Sequence, residues 1–308
     1  MSVPADALAQ APARVSVLMV LADSGASALQ AARRALDSPA CSELIVLDNA
    51  SGDGIPERLR QAHAGDARVR IEAMGGNRGF GVAMNRGAAL AGGDWLLLLN
   101  PDCLLEADTL ARLLQSAADG ALVGAVVCAA DGRPDPASWR RAPTLRRVLC
   151  TMSGLARWER RWPALAGVNR RDALPTAAQD VEALSGALLL LPRALFARVG
   201  GFDSGYFLHF EDLDLCTRVR RTGVPVRLAG AVRVLHAKGG SSGARALFVA
   251  RHKHRGLLRY LALHDGAARR WPWRGLLPAL VWLHFALQAP RLLLRDAQAR
   301  RAAARRDA

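Results

Sequence analysis

The sequence is poor in several things. Of its 308 residues, five are cysteine, two are tyrosine, and aromatics make up 5%. The cysteines (Cys41, Cys103, Cys128, Cys150 and Cys216) are odd in number and contain no C-x-x-C pair. That argues against a disulfide framework and fits a reducing, cytosolic setting. Lysine is nearly missing: of 42 basic residues, all but Lys238 and Lys253 are arginine. The opening stretch MSVPADALAQAPAR lacks a basic start followed by an apolar run, so no secretory signal is expected. There is no low-complexity tract and no short-period repeat.

What is present points to a folded body with a basic end. Hydrophobic residues make up 51% of the chain, enough for a sizeable core. The length suits one large domain or a domain plus an appendage. The net charge is +15, unevenly spread: residues 241–308 hold 14 Lys/Arg against 3 Asp/Glu, and the rest of the chain holds 28 against 24. The body is mildly basic and the C-terminal quarter strongly so.

Apolar periodicity alternates between strand and helix. VSVLMVLA (Val15–Ala22) is a continuous β-branched run and reads as a strand buried on both faces. SALQAARRALDS reads as a helix, ELIVLD as a strand, IPERLRQAHA as a helix with an early proline, and RVRIEAM as a strand. GGNRGFGVAMNRGAALAG is a Gly-rich turn opening a small-residue helix. DWLLLLNPDC is a strand ending in a turn, EADTLARLLQSAAD a helix, and ALVGAVVCA a strand. Residues 131–180 break the pattern with Pro, Trp and Arg; an excursion this long is usually functional or mobile. VEALSGALLLLP then reads as a strand, RALFARVGGFD as a short helix stopped by glycine, and EDLDLCTRVRRTG as a helix ended at Gly223. VPVRLA and AVRVLHA read as two short strands. The alternation predicts an α/β architecture with a mainly parallel sheet flanked by helices.

Ligands of such sheets bind beyond the carboxyl ends of the strands. Three polar clusters follow strands and should gather along that edge: Asp48–Asp53, Gly75–Asn85 and Asn100–Asp102. Asp102, held at the end of a leucine run by Pro101, can help bind a hard cation such as Mg²⁺ that also takes substrate phosphates; it would serve equally in an ordinary post-strand turn. Asp48 and Asn49 end a buried strand, and a carboxylate there can accept a hydrogen bond from the ring N–H of a pyrimidine. GGNRGFG does not match G-x-G-x-x-G and follows the third strand, so it is no dinucleotide fingerprint. Its glycines still allow close backbone approach to a phosphate, and Arg78 could reach one.

YFLHFEDLDLC (Tyr206–Cys216) puts Glu211, Asp212 and Asp214 among large apolar residues, where charges need partners. If a helix starts at Glu211, Asp212 and Asp214 lie on different faces. Asp212 is then free to point into the cleft, while Glu211 or Asp214 caps the helix or pairs with Arg218 or Arg221. All three would also suit a plain helix start. His236 ends the last strand, just before Gly239, Gly240, Ser241 and Ser242, a polar segment of the sort that closes over phosphates.

Taken in order, these pieces resemble a bacterial family 2 glycosyltransferase of the rhamnosyltransferase-like kind. The resemblance covers residues 14–260 and is strongest in the Gly-Gly-Phe-Asp to Glu-Asp-x-Asp-Leu block. It implies a GT-A fold, a nucleotide-diphosphate sugar donor and a divalent metal, Mg²⁺ or Mn²⁺. It implies Asp48 as the base-recognition acid, with Asn49, Asn77, Arg78, Gly79 and Asn100 around the donor. It implies Asn100-Pro101-Asp102 as the D-x-D site, with Asp102 and His236 toward the metal, and Asp212 as the catalytic base. Two places depart from the family pattern: LADSGAS follows the first strand where an Asn-Tyr-Asn-like turn is usual, and Asn100 stands for the first acid of D-x-D.

The expected reaction is a single inverting displacement from dTDP-rhamnose or a UDP-sugar to a saccharide or lipid-linked acceptor in cell-envelope polysaccharide synthesis. The excursion is expected to cover the acceptor site, with Trp139, Trp158 and Trp162 available to stack on sugars or to pack beneath the loop. Nucleotidyltransfer would want a Gly-rich loop with Arg and Lys after the first strand, which LADSGAS does not supply. A catalytically degenerate relative, binding a nucleotide sugar or a membrane, is the alternative that Asn100 keeps open. No RNA-binding motif accompanies the basic tail, so nucleic acid is not an expected partner.

Residues 261–308 read as a basic amphipathic helical extension. Within it, Gly275–Ala289 (GLLPALVWLHFALQA) has no charged residue and is flanked by arginines. It falls short of the roughly 20 residues of a bilayer span, and Pro278 and His284 weaken that reading further. Trp271, Trp273 and Trp282 suit an interface. The tail is expected to hold the protein on an anionic membrane surface, peripherally, at the inner face of the bacterial inner membrane.

Overall fold

The structure, a computed structural model, describes residues 13–236 and 245–304, without the side chains of 300 and 302–304. The Gly239–Ser242 segment lies outside the described residues. The chain opens β1 (Val15–Leu21), α1 (Ser27–Leu36), β2 (Cys41–Asp48), α2 (Ile55–Ala62), β3 (Val69–Ala73), α3 (Phe80–Leu90), β4 (Trp95–Leu99), β5 (Cys103–Leu104), α4 (Thr109–Ser116) and β6 (Leu122–Cys128). The excursion holds β7 (Trp139–Arg140), α5 (Leu145–Met152) and short 3-10 turns, and ends at β8 (Ala178–Asp180). Then come β9 (Ala183–Leu184), β10 (Leu188–Pro192), α6 (Arg193–Arg198), α7 (Glu211–Arg221), β11 (Val226–His236), α8 (Ala246–His264) and α9 (Trp273–Ala304).

The main sheet runs β3-β2-β1-β4-β10-β6-β11-β5, with β8 on β11, and β7 pairs β9 in a small second sheet. β1, β2, β3 and β4 are parallel neighbours, while β10 is antiparallel to both β4 and β6. The leucine runs are central strands buried on both faces, and period 2 splits them: Leu96 and Leu98 join one core layer, Leu97 and Leu99 the other. That is why they carry no polar alternation. β10 continues the pattern, matching Leu188–Leu191 to Leu99–Leu96.

One expectation changes. VPVRLA and AVRVLHA form one strand, β11, because a register shift between Ala229 and Arg233 absorbs Gly230 without ending the pairing with β6. The excursion is anchored to the body. Arg147 pairs with Glu182 at 2.6 Å and Asp265 accepts from the Leu145 N–H at 2.7 Å, while Arg141 pairs with Glu159 at 3.0 Å within the excursion itself. All five cysteines are buried and free.

α8 runs unbroken through residues 260 and 261 and packs on the body. Gly256 sits so close to His209 that a Cβ would meet the His209 carbonyl at 2.9 Å. α9 packs on α8 through buried Leu277 and Val281. His254 and His284 meet at 3.1 Å, and Asp296 caps the start of α8 by accepting from the N–H groups of Ala246 (2.6 Å) and Leu247 (3.2 Å).

Candidate active site

The polar clusters gather at the carboxyl ends of β2, β4 and β11. Asp48, the last residue of β2, accepts from the Ser51 N–H at 2.8 Å through Oδ1. The next residue, Asn49, is buried. Its Oδ1 accepts from the Arg78 N–H at 2.9 Å, and its Nδ2 donates to Asn77 Oδ1 (3.1 Å) and the Gly79 carbonyl (3.3 Å). Asn49 therefore holds the 77–79 loop in place. Gly79 is required there: its φ is +89°, and a Cβ would lie 2.7 Å from the Phe207 carbonyl. Arg78 stays exposed on the loop.

LADSGAS, the turn after β1, is knitted to the next loop by its own acids and amides. Asp23 accepts from the Gly52 N–H at 2.8 Å, and Asp53 accepts from the Gly25 N–H at 2.8 Å. Sequence reading did not single out Asp23 for this.

The Asn100–Asp102 turn brings Asp102 to His236, with Oδ1 and Nε2 2.9 Å apart. β5 makes this meeting possible, because Cys103 pairs with His236 in antiparallel register. Asp102, Cys103 and His236 place their ligand atoms within 4.8 Å of one another. Both ring nitrogens of His236 are buried and lack an aligned hydrogen-bond partner among the described residues. Such atoms are costly to leave unmade unless something else takes them up. A carboxylate oxygen and an imidazole nitrogen suit a divalent cation that keeps waters or phosphate oxygens as its other ligands. The Cys103 thiol is a poorer third donor: burial first, then the Asp102 charge, pushes it well above its usual range.

The three acids of α7 have three different situations. Asp214 is buried and fully paired: Oδ2 meets Arg218 at 2.6 Å and Oδ1 meets His264 Nε2 at 2.6 Å. It ties α7 to the end of α8, and Arg218 is the partner that helical spacing pointed to. Glu211 is buried, with Oε2 unpartnered among the described residues, and burial followed by the neighbouring Asp212 charge pushes its carboxyl up. Asp212 is half-buried, and each of its oxygens takes one backbone N–H: Oδ2 from Gly186 at 2.9 Å and Oδ1 from Leu213 at 2.8 Å. Before the helix, His209 and Phe210 both have left-handed backbones, with φ of +65° and +75°. Bulky residues rarely adopt that conformation, and it tends to mark functional sites. Nothing in the sequence flagged this turn.

The two halves of the site meet through one short segment. The Asn100 N–H donates to the Ala187 carbonyl at 2.9 Å, and Gly186 next door donates to Asp212. Gly186 is the functional residue that sequence reading missed; SGA is a common tripeptide, and only the fold shows what it touches. Of the tryptophans, Trp139 is buried in the core, with the Arg170 guanidinium 4.0 Å over its ring, so it is not free to stack on a sugar. Trp158 and Trp162 are exposed.

Comparisons with known proteins bear on the family and the fold. The glycosyl transferase family 2 model matches residues 20–179. The N-acetylglucosaminyl-diphospho-decaprenol L-rhamnosyltransferase of Mycobacterium tuberculosis is 32% identical over 253 residues, covering 75% of this chain and 80% of that protein. Rhamnosyltransferase WbbL of Escherichia coli K12 is 25% identical over 207 residues, covering 63% of this chain and 72% of that one. A mannosyltransferase from Pyrobaculum calidifontis, solved with GDP-Man and Mn²⁺, superposes with a TM-score of 0.58 at 20% identity, over 96% of this chain and 76% of that one. The fold is GT-A. The chain belongs to glycosyl transferase family 2, and within it is similar to rhamnosyltransferases.

Proposed function

We propose that the protein is an inverting sugar transferase of cell-envelope glycan synthesis. It takes rhamnose, or another hexose, from a dTDP- or UDP-sugar and passes it to a hydroxyl of a saccharide or lipid-linked acceptor. The similarity to the mycobacterial and WbbL rhamnosyltransferases supports the sugar and the acceptor class. The observation that carries the reading is the bridge at Gly186–Ala187, which sets Asp212 on one side and the Asn100–Asp102 turn on the other.

Asp212 takes the proton from the acceptor hydroxyl. The freed oxygen attacks the anomeric carbon from the face opposite the diphosphate. The bond from that carbon to the diphosphate oxygen breaks, the nucleoside diphosphate leaves with the electron pair, and configuration inverts. Asp102 and His236 would hold Mg²⁺ or Mn²⁺, which would supply positive charge to the leaving diphosphate. Asp48, with one oxygen engaged by Ser51, has the other to accept the ring N–H that thymine and uracil share.

The same reading places the enzyme peripherally on the inner face of the inner membrane. Support comes from α9. Trp273–Ala299 is 27 residues long and, by length and composition, apolar enough to cross a bilayer. One face, with Leu277 and Val281, is packed against α8, while Leu283, Leu287 and Leu294 on the other are exposed. A helix docked on the protein along one face and apolar along the other suits lying in an interface.

The test is a donor screen with purified protein and Mn²⁺, reading nucleoside diphosphate release, with Asp212→Asn beside the wild type. Release from dTDP- or UDP-sugars in the wild type and its near-complete loss in Asp212→Asn, with dTDP binding retained, is expected. A preference for GDP-sugars, or an active Asp212→Asn enzyme, would overturn the reading.

A further inference from the structure

Beyond Asp212 lies a group of cations that the transfer step does not use. Arg140 sits on β7, paired in register with Ala183, just ahead of Gly186. Its Nε is buried and without a hydrogen-bond partner among the described residues. Lys253 comes from α8, on the turn before Gly256, which packs against the His209 carbonyl. His209 Nε2 is also buried and, among the described residues, unpartnered.

These groups feel one another. Burial first, then the charges of Lys253 and Arg140, lower His209 to about 3, so the imidazole is neutral. Lys253 is lowered by burial and by Arg140, and raised in part by Asp212. Arg140, on the strand pairing just ahead of Gly186, and Lys253, one turn before the Gly256 contact with His209, approach the Asp212 corner from two sides. An unmade buried guanidinium donor is costly, and its fork fits phosphate oxygens.

We infer that Arg140 and Lys253 form a second anion site, which takes the phosphate next to the sugar in a diphosphate-linked acceptor. This rests on the proposed function, because it needs the acceptor hydroxyl at Asp212. The alternative source of phosphate is the donor. The contact chain favours the acceptor: the donor's diphosphate end is assigned to Asp102 and His236, which reach Asp212 through Ala187 and Gly186. Arg140 joins that chain from the other direction, at Ala183. A lipid diphosphate held there would also have α8 beside it, and α9 on α8 carries exposed leucines suited to the lipid chain.

The experiment is calorimetry with three probes: farnesyl diphosphate, farnesol, and dTDP with Mn²⁺. Lys253→Gln keeps a long, helix-compatible side chain on α8 and is the primary variant; Arg140→Gln is the second, accepted only if its melting temperature matches wild type. Each is expected to weaken farnesyl diphosphate binding about tenfold, the effect of losing one charge-assisted hydrogen bond. Farnesol and dTDP–Mn²⁺ binding should not change. Equal farnesyl diphosphate binding by wild type and Lys253→Gln would overturn the inference. So would a parallel loss of dTDP affinity, which would assign the cations to the donor. No turnover is read, so a protein that transfers no sugar would defeat the proposed function and leave this measurement standing.

Discussion

Gly186 donates its N–H to Asp212 Oδ2 at 2.9 Å, and a Cβ on Gly186 would meet the Asp212 Cβ at 3.0 Å and Oδ2 at 3.3 Å. The hydrogen bond and the close approach are one arrangement: only a residue without a side chain brings this amide to that carboxylate. Gly186→Ala should push Asp212 out of line by a few tenths of an ångström. Positioning errors of this kind cost up to about 100-fold in rate. The expected result is a fall in kcat of roughly 10- to 100-fold with donor KM nearly unchanged. A variant with wild-type kcat would show that the contact does not position the base.

Asp102 and His236 should fail differently from Asp212. Asp102→Ala and His236→Ala remove one donor each from the pair 2.9 Å apart. Both are expected to weaken Mn²⁺-dependent dTDP binding about 10-fold or more, in the range seen when metal-site groups are lost. Cys103→Ser should bind dTDP and Mn²⁺ like the wild type, because a hard cation such as Mn²⁺ prefers the Asp102 carboxylate and the His236 imidazole to a thiol. Calorimetry with and without chelator checks all three. Metal-independent dTDP binding in the wild type would remove the metal from the site.

How far the sequence carried depended on whether a residue's partner was near in sequence. β1, β2 and β4 announce themselves as unbroken apolar runs, because both faces of a central strand are buried. Asp214–Arg218 was legible because helical spacing brings residues four apart together. Asp102 and His236 were named through the family resemblance, and the structure brings them together. The β5–β11 pairing that does so joins residues far apart in sequence, and no local signal reports it. Gly186, Arg140 and Lys253 were not legible for the same reason. The antiparallel direction of β10 was hidden too: LLLL reads the same either way, and the direction is set by where the 131–180 excursion returns.

Glu211 makes a pH prediction that can be separated from catalysis. Its folded carboxyl is raised by burial and then by Asp212, so the folded state keeps a proton that the unfolded chain gives up at ordinary carboxylate pH. Folded protein thus binds more protons across that window, and stability falls as pH rises through it. Each unit of separation between the two pKa values is worth about 1.4 kcal/mol. Glu211→Gln keeps an acceptor and has no charge to bury. Urea unfolding from about pH 5 to about pH 9 should show the variant gaining on the wild type as pH rises. Parallel curves would mean that Glu211 titrates normally.

The exposed side of α9 decides the membrane reading. Deleting everything after Asp265 would be an ambiguous test, because it also removes Asp296, which caps α8, and uncovers the face that Leu277 and Val281 bury. Leu287 and Leu294 are 71% and 64% exposed, on the opposite face, so changing them disturbs no packing. Arg291 and Arg295 lie on the same exposed stretch, and each arginine near an anionic surface adds about 1 kcal/mol. Leu287→Glu with Leu294→Glu should therefore keep the melting temperature and lose most binding to vesicles rich in anionic lipid. Salt should weaken the wild type's binding only in part, since screening acts on the arginines and leaves the leucines. Turnover on a water-soluble acceptor should be unchanged in the double variant. Wild-type protein that ignores anionic vesicles at low salt, or a double variant that binds them as well as wild type, would show that α9 meets something other than a bilayer.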